Sequence, residues 1–551
     1  MINKFLNTQT RSVSIASFIL AVFYVASAGL GLLRDHFLAG NIGTERLDVY
    51  YAAFTIPDLI ALLMVFGAIS AAIIPIFTDY LTKSEDEAWE YVSVLLNVFI
   101  VGLIAVCGIF ILFAPFFVKF ITPGFSPEKQ ATTAMLMRIM FLSPIILGIS
   151  NIVSGILQVF HRFLVTALAP VMYNLGIIIG IIFLTPKFGL VGLAWGVVIG
   201  GLLHLAIQLP AFFFSGFKFQ VSSFKFKSFF HPGVKKTLAL MVPRSLGLGA
   251  GQINMIATTI IASTLVAGSI GIFTLANNLS NMLISMLAVS ISTAIFPSLS
   301  RVYLEENKTE FSRKFSSAFL QLLFLTVPAS VILFFLRAQI VRVVLGNGQF
   351  DWIDTRLTAA CLGVFAVGIC FQGLIFLLSK TFYAAHNTKI PAIVSAGTVM
   401  FNILMSLFFV WLLSLHGIFY LLMQNWLKLQ GIANISVIGL ALSFSVTGIA
   451  EALLLVWLAY KYYKIFNAKI ILASLYKILI SAVAMAIAIL IVRQELISLN
   501  IIQLQTFWGV FVQLAISAVA GGVTYLLASY FLKSKELSSL LTIINIKRII
   551  K

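Results

Sequence analysis

The chain has 551 residues, 61% of them hydrophobic and 10% charged, with a formal net charge of +18. A soluble domain carries roughly 45–50% apolar and about 25% charged residues, so this composition excludes a water-soluble globular protein. Its basic residues are therefore to be sorted by membrane topology before any nucleic-acid role is considered.

A transmembrane helix needs roughly 20 mostly apolar residues, and the sequence predicts an all-α polytopic membrane protein of about fourteen such spans. They lie near 13–33, 50–77, 92–118, 134–158, 163–185, 188–215, 236–264, 270–296, 316–337, 358–385, 390–415, 432–460, 469–492 and 505–532. The first apolar run is too long for the core of a signal peptide and reads as a retained first helix. Cys107, Cys361 and Cys370 fall inside spans, without the spacing of a zinc site or a disulfide framework, and read as small buried hydrophobes.

Basic residues gather between the sixth and seventh spans (Lys218, Lys225, Lys227, Lys235), between the eighth and ninth (Arg301, Lys308, Arg313, Lys314) and after Lys533. The positive-inside rule then places both termini in the cytoplasm of an inner (plasma) membrane protein. Topology accounts for these clusters without nucleic acid, and contact with anionic headgroups is a secondary role for them. The stretch 416–431, with Phe419, Tyr420, Leu421, Leu422, Trp426 and Leu427 among polar neighbours, suits a helix lying at the outer interface or a plain loop.

An internal repeat organises the chain. Ser70 to Pro75 ends the second span as Ser292 to Pro297 ends the eighth. Gly192-Leu193-Ala194, Gly201 and His204 in the sixth span recur at the same spacing as Gly439-Leu440-Ala441, Gly448 and Glu451 in the twelfth. An offset of six spans preserves orientation, so two six-helix parallel repeats are expected, with a cavity between them. The expected organisation is an N-terminal lobe at 1–215, a basic linker at 216–235 and a C-terminal lobe at 236–464. Two additional helices at 465–532 and a basic tail at 533–551 complete it.

Ionisable groups in or bordering spans are costly and are functional candidates by default. They are Arg34, Asp58, Arg138, His204, Arg244, Lys380, Glu451 and Lys477. The two lysines can snorkel toward headgroups. Arg244 follows Pro243 and precedes Gly247, Gly249 and Gly251; its guanidinium suits either bidentate phosphate recognition or interfacial snorkelling. Arg34 stands beside Asp35 and near Asp48, which also suits a local ion pair. Asp58 follows Pro57, at a kink, as a proton or cation site or as an interfacial carboxylate. His204 and Glu451 serve as relay groups or as hydrogen-bonding links between helices. Asn402 and Ser406 offer oxygen ligands to a cation, or ordinary helix packing. No metal-ligand cluster, phosphate loop, paired intramembrane carboxylates or activated nucleophile is visible, so a transporter is expected rather than an enzyme, with no cofactor.

The run Leu33-Arg34-Asp35, then Asp48 to Leu59 (Asp-Val-Tyr-Tyr-Ala-Ala-Phe-Thr-Ile-Pro-Asp-Leu), then Gly67 to Pro75, resembles the signature of the lipid II flippases, the MurJ/MviN family. The likeness extends over about residues 15–460, through Ala169-Pro170 with Asn174, Gln208-Leu209-Pro210, Pro297 to Ser300, and His386 to Pro391. The resemblance implies the fold of the multidrug/oligosaccharidyl-lipid/polysaccharide (MOP) exporters: two six-helix lobes in a V-shaped, MATE-like arrangement, plus two C-terminal helices framing a groove. The implied substrate is undecaprenyl-pyrophosphate bearing the peptidoglycan disaccharide-pentapeptide, moved to the outer leaflet by alternating access. It implies headgroup binding by Arg34, Asp48 and Arg138, with Arg244 supplying charge where Ala28, Ala61, Phe66 and Asn277-Asn278 depart from the family's charged residues. Coupling to Na+ or H+ is left open, with Asp58, His204, Glu451 and Asn402 as the polar candidates. Cell-wall synthesis enzymes are expected partners. The rival expectations are a flippase for another polyprenyl-linked glycan, a cation-coupled drug exporter, and a scaffold that transports nothing.

Overall fold

The computed structural model describes residues 13–63, 72–217, 231–463, 468–499, 503 and 505–539. Every regular element among them is helical. Twelve of the helices are long and apolar enough to cross a membrane. The second and seventh predicted spans complete the expected set. The second is represented by Thr44–Ala61 and Ile74–Lys83 on either side of residues outside the description, and the seventh by the 32-residue helix Pro232–Ser263.

Span ends follow capping chemistry more closely than the edges of the apolar runs. Ser84 accepts a hydrogen bond from the Glu87 amide, and Glu85, Asp86 and Glu87 oppose the positive end of the helix dipole, so the third span starts at Glu85 rather than 92. Ser126 and Pro127 start the fourth segment at 127 rather than 134. Asp351 and Asp354 form a capping box for the tenth span, Trp352–Ala384. Asn307 caps the ninth, which runs Lys308–Val344, well beyond its apolar window. The stretch 416–431 contains the helix Ile418–Trp426, with Tyr420 buried and Leu421, Leu422 and Trp426 exposed.

The chain divides into two compact units, residues 1–271 and 272–551. In the first, Phe77, Trp89, Tyr91, Leu95, Ile156 and Phe212 anchor a core at one end of the spans. Glycines allow the fifth span, Phe163–Phe188, to touch the sixth, Leu190–Phe213, backbone to backbone. A methyl on Gly176 would collide with Gly200, one on Gly180 with Gly196, and one on Gly192 with the Leu184 carbonyl. Lipid supplies no hydrophobic drive between helices, so such close dispersion contact is what joins them. A π-type turn at Gly180–Leu184 bends the fifth span.

The second unit repeats these relations. Gly439 in the twelfth span, Val437–Tyr463, abuts the backbone of Phe409 and Val410 in the eleventh, as Gly192 abuts the fifth. Gly448 faces Gln372 of the tenth span, as Gly201 faces Ser143 of the fourth. The repeat read from sequence is therefore a repeat of contacts. The helices Ala468–Ser498 and Phe507–Phe531 pack on each other through Gly521 against Ile489, and Tyr525 donates to the Phe324 carbonyl at 2.9 Å, fastening the pair to the ninth span.

Candidate functional site

Arg34 lies near the end of the first span, Val13–Ile42, one residue before Asp35. Its Nε and Nη2 donate to Asp35 Oδ1 at 3.0 and 2.8 Å, and its Nη1 donates to Asn174 Oδ1 at 3.2 Å. Asn174 is itself fixed. Its Nδ2 donates to the Ser27 carbonyl and hydroxyl at 3.3 Å and to the Pro170 carbonyl at 3.2 Å, which dictates the orientation of the amide. A guanidinium has five N–H donors, and these three bonds leave two, on Nη1 and Nη2, for a further acceptor. The side chain is 24% exposed while that of Asp35 is 5% exposed. A cation so oriented, with donors left on both Nη1 and Nη2, can hold a phosphate through charge-assisted hydrogen bonds.

Aromatic hydroxyls surround this group. Tyr50 and Tyr51 stack edge to face at 5.2 Å, and they and Tyr173 lie within electrostatic reach of Arg34. The buried Tyr51 hydroxyl has no hydrogen-bond partner among the described residues. Asp58, two turns further along the second span, is exposed and accepts from Gln252 Nε2 of the seventh. The first unit thus brings Arg34, Asp35 and Asp58 together with tyrosines and amides from the first, second, fifth and seventh spans.

Other predicted residues sit elsewhere. Asp48 is buried, and its two oxygens accept from the Gly268 amide at 2.6 Å and the Gly271 amide at 2.9 Å. Arg138 is at the surface and its Nε donates to the Ile111 carbonyl at 3.2 Å. Arg244 stands in the helix Pro232–Ser263, with its side chain outside the described residues, as is Phe66. Lys380 lies over the Phe296 ring at 5.2 Å, and Lys477 reaches the Lys533 carbonyl at 3.0 Å.

The remaining polar candidates join helices. His204 Nδ1 is 2.6 Å from Ser150 Oγ; Gln208 Nε2 donates to the same Ser150 Oγ at 2.9 Å, and its Oε1 accepts from Ser154 at 2.6 Å. Glu451 accepts from Ser395 at 3.0 Å. Asn402 donates to Thr447 at 3.5 Å and accepts from Ser406, which pairs with Ser443 at 2.7 Å. His204 and Glu451 hold matching places in the repeat but join different neighbours, the fourth span and the eleventh.

Charge alone does not point to Asn174, Tyr51 or Gln252, because neutral polar side chains carry no charge signal. Asn174 was nonetheless within reach, four residues after Pro170, inside a motif that carried the family resemblance.

Comparison with known proteins agrees with this reading. The family model described as "Lipid II flippase MurJ" matches residues 38–508. The "Probable lipid II flippase MurJ" of Buchnera aphidicola subsp. Acyrthosiphon pisum is 32% identical over 399 residues, 71% of this chain and 76% of that protein. The "Lipid II flippase MurJ" of Burkholderia cenocepacia is 27% identical over 402 residues, 72% and 78% respectively. A solved structure titled "Lipid II flippase MurJ, inward closed conformation" superposes with a TM-score of 0.73 at 27% identity, covering 93% of this chain and 99% of its own. An inward-facing MATE-family transporter of the MOP superfamily, at 15% identity and a TM-score of 0.62, covers 81% of this chain and 96% of its own and shares the fold. With twelve helices able to cross a membrane among the described residues and a family model matching residues 38–508, the chain belongs to the lipid II flippase MurJ family.

Proposed function

We propose that the protein carries lipid II, the undecaprenyl-pyrophosphate-linked disaccharide-pentapeptide, from the inner to the outer leaflet of the plasma membrane by alternating access. A pyrophosphate cannot cross about 30 Å of hydrocarbon unaided, because an unpaired charge there costs many kcal/mol. A protein that moves it has to offer cations at membrane depth while the polyprenyl tail stays in lipid. The single observation that carries the proposal is Arg34, a guanidinium oriented by Asp35 and Asn174 whose bonds to them among the described residues leave two N–H donors.

Arg244, on the seventh span, is assigned a supporting contact with the same phosphates, and Arg138 an outer approach site. Asp58, with His204, Glu451 and Asn402 behind it, is the candidate for Na+ or H+ coupling. Both termini are assigned to the cytoplasm, consistent with the basic segments, and wall-synthesis enzymes to the list of partners. Residues 1–215 and 236–464 are assigned as the two moving lobes, with 465–532 as appended helices.

The test is a proteoliposome assay with labelled lipid II and, in parallel, a different polyprenyl-pyrophosphate-linked glycan. Arg34→Ala should slow lipid II flipping at least about tenfold, the loss of one or two charge-assisted hydrogen bonds at roughly 1.5–3 kcal/mol each, while membrane insertion is unchanged. Undiminished flipping by Arg34→Ala defeats the site. Equal transport of the other glycan shows that the phosphates alone are read.

A further inference from the structure

The second unit holds a concentration of cationic charge apart from the proposed Arg34 site. Arg337 and Arg342 lie in the last turns of the ninth span, and Arg493 lies near the end of the thirteenth. Arg337 Nη1 donates to the Phe334 carbonyl at 2.8 Å and Arg493 Nη1 to the adjacent Phe335 carbonyl at 3.0 Å, so two guanidiniums converge on one helical turn. They lie close enough to repel each other. The ion pairs among the described residues involve neither of them, nor Arg342, whose Nη2 donates to the Gln505 carbonyl at 3.2 Å. Carbonyl dipoles orient these groups without cancelling their charge.

The place is built rather than frayed. The aliphatic stem of Arg337 lies in a notch left by Gly363 of the tenth span, where an added methyl would stand 2.7 Å from Cδ and 3.1 Å from Nε. Gln339 donates to Gln513 at 3.0 Å, and Gln513 donates to the Arg493 carbonyl at 3.3 Å, tying the ninth, thirteenth and fourteenth spans together at this level. Exposed Trp352, Trp426 and Trp508 ring the same end, Trp352 beneath Arg342 at 5.7 Å and Trp426 against Phe334 at 6.1 Å. Exposed tryptophans of this kind mark headgroup depth. Two uncompensated guanidiniums at that depth complement one phosphate, and the lipid bilayer is where a phosphate on a diacyl anchor is always at hand.

We propose that Arg337 and Arg493 form a binding site for the phosphate of an anionic glycerophospholipid, seated where the two C-terminal helices pack on the ninth span. The lipid would neutralise the paired cations and brace those helices, whatever polyprenyl-linked molecule the protein moves.

The test uses the purified full-length protein with defined lipids and native mass spectrometry. Wild type should retain phosphatidylglycerol about 25-fold better than phosphatidylcholine, at about fivefold per guanidinium, and Arg337→Gln/Arg493→Gln should erase that preference. Gly363→Ala keeps both charges but displaces Arg337, so it should weaken phosphatidylglycerol retention, whereas Arg301→Gln, at an exposed surface pair, should leave it unchanged. Equal retention of the two lipids by wild type overturns the proposal regardless of how any variant folds. So does undiminished preference in the double variant, or binding of inorganic phosphate alone with no lipid preference.

Discussion

Replacing Asp48 by Ala removes the acceptor for two backbone amides at once, Gly268 at 2.6 Å and Gly271 at 2.9 Å, in a buried site. These are hydrogen bonds to a charged acceptor, worth roughly 1.5–3 kcal/mol each, so about 3–6 kcal/mol of local stability is at stake. The segment cannot easily find another arrangement. Gly268 has φ of +93°, which a side chain disfavours, and its α-carbon lies against Thr44, where a methyl would approach Oγ1 to 2.9 Å. Hydrogen–deuterium exchange of the peptide spanning 264–272 reads this directly. A local loss of about 3 kcal/mol should accelerate exchange on the order of a hundredfold. Asp48→Asn keeps one acceptor oxygen and should fall between. If exchange of that peptide changes by less than about threefold in Asp48→Ala, the carboxylate does not clamp the start of the eighth span. In that case its place in the family signature has to be explained by contact with substrate.

Two further outcomes follow from the helix contacts. Gly180→Val inserts an isopropyl group where the fifth and sixth spans touch and should cost about 1–3 kcal/mol of stability by overpacking, read as a lowered melting temperature in detergent; Gly102→Val, whose site is open, should not lower it. Ser150 serves both His204 and Gln208, so Ser150→Ala and His204→Ala should couple by about 1 kcal/mol in a double-mutant cycle of thermal unfolding. Strict additivity would show that the two side chains act independently.

The long apolar spans were legible because hydrophobicity over about 20 residues is a strong signal, and their ends were not, because they are set by local caps. Ser84, Ser126, Asn307 and Asp351 moved four span starts outward by seven or eight residues or a little less, toward the nearest residue able to satisfy free amides. The glycine repeat was legible as a pattern, and its meaning became plain only as contacts: Gly192 and Gly439 each admit the preceding span, and Gly201 and Gly448 each face the span two before it.

The candidate site shows where charge as a guide stops. A search for ionisable residues in apolar runs finds Arg34 and Asp58 and suggests the local Arg34–Asp35 ion pair, which the structure contains. What turns the pair into a clamp is Asn174, 140 residues from Arg34, whose amide oxygen takes a third N–H and whose amide nitrogen is held by Ser27 and Pro170. The same search names Asp48 for its charge, yet both its oxygens are spent on backbone amides, a structural duty that no composition reveals. It also passes over Arg337 and Arg493, which lie 156 positions apart and gain significance only because adjacent carbonyls of one turn receive both. In a membrane protein the cost of burying a charge marks which residues matter. What each one does is decided by the neutral groups that orient it, and those come from distant spans.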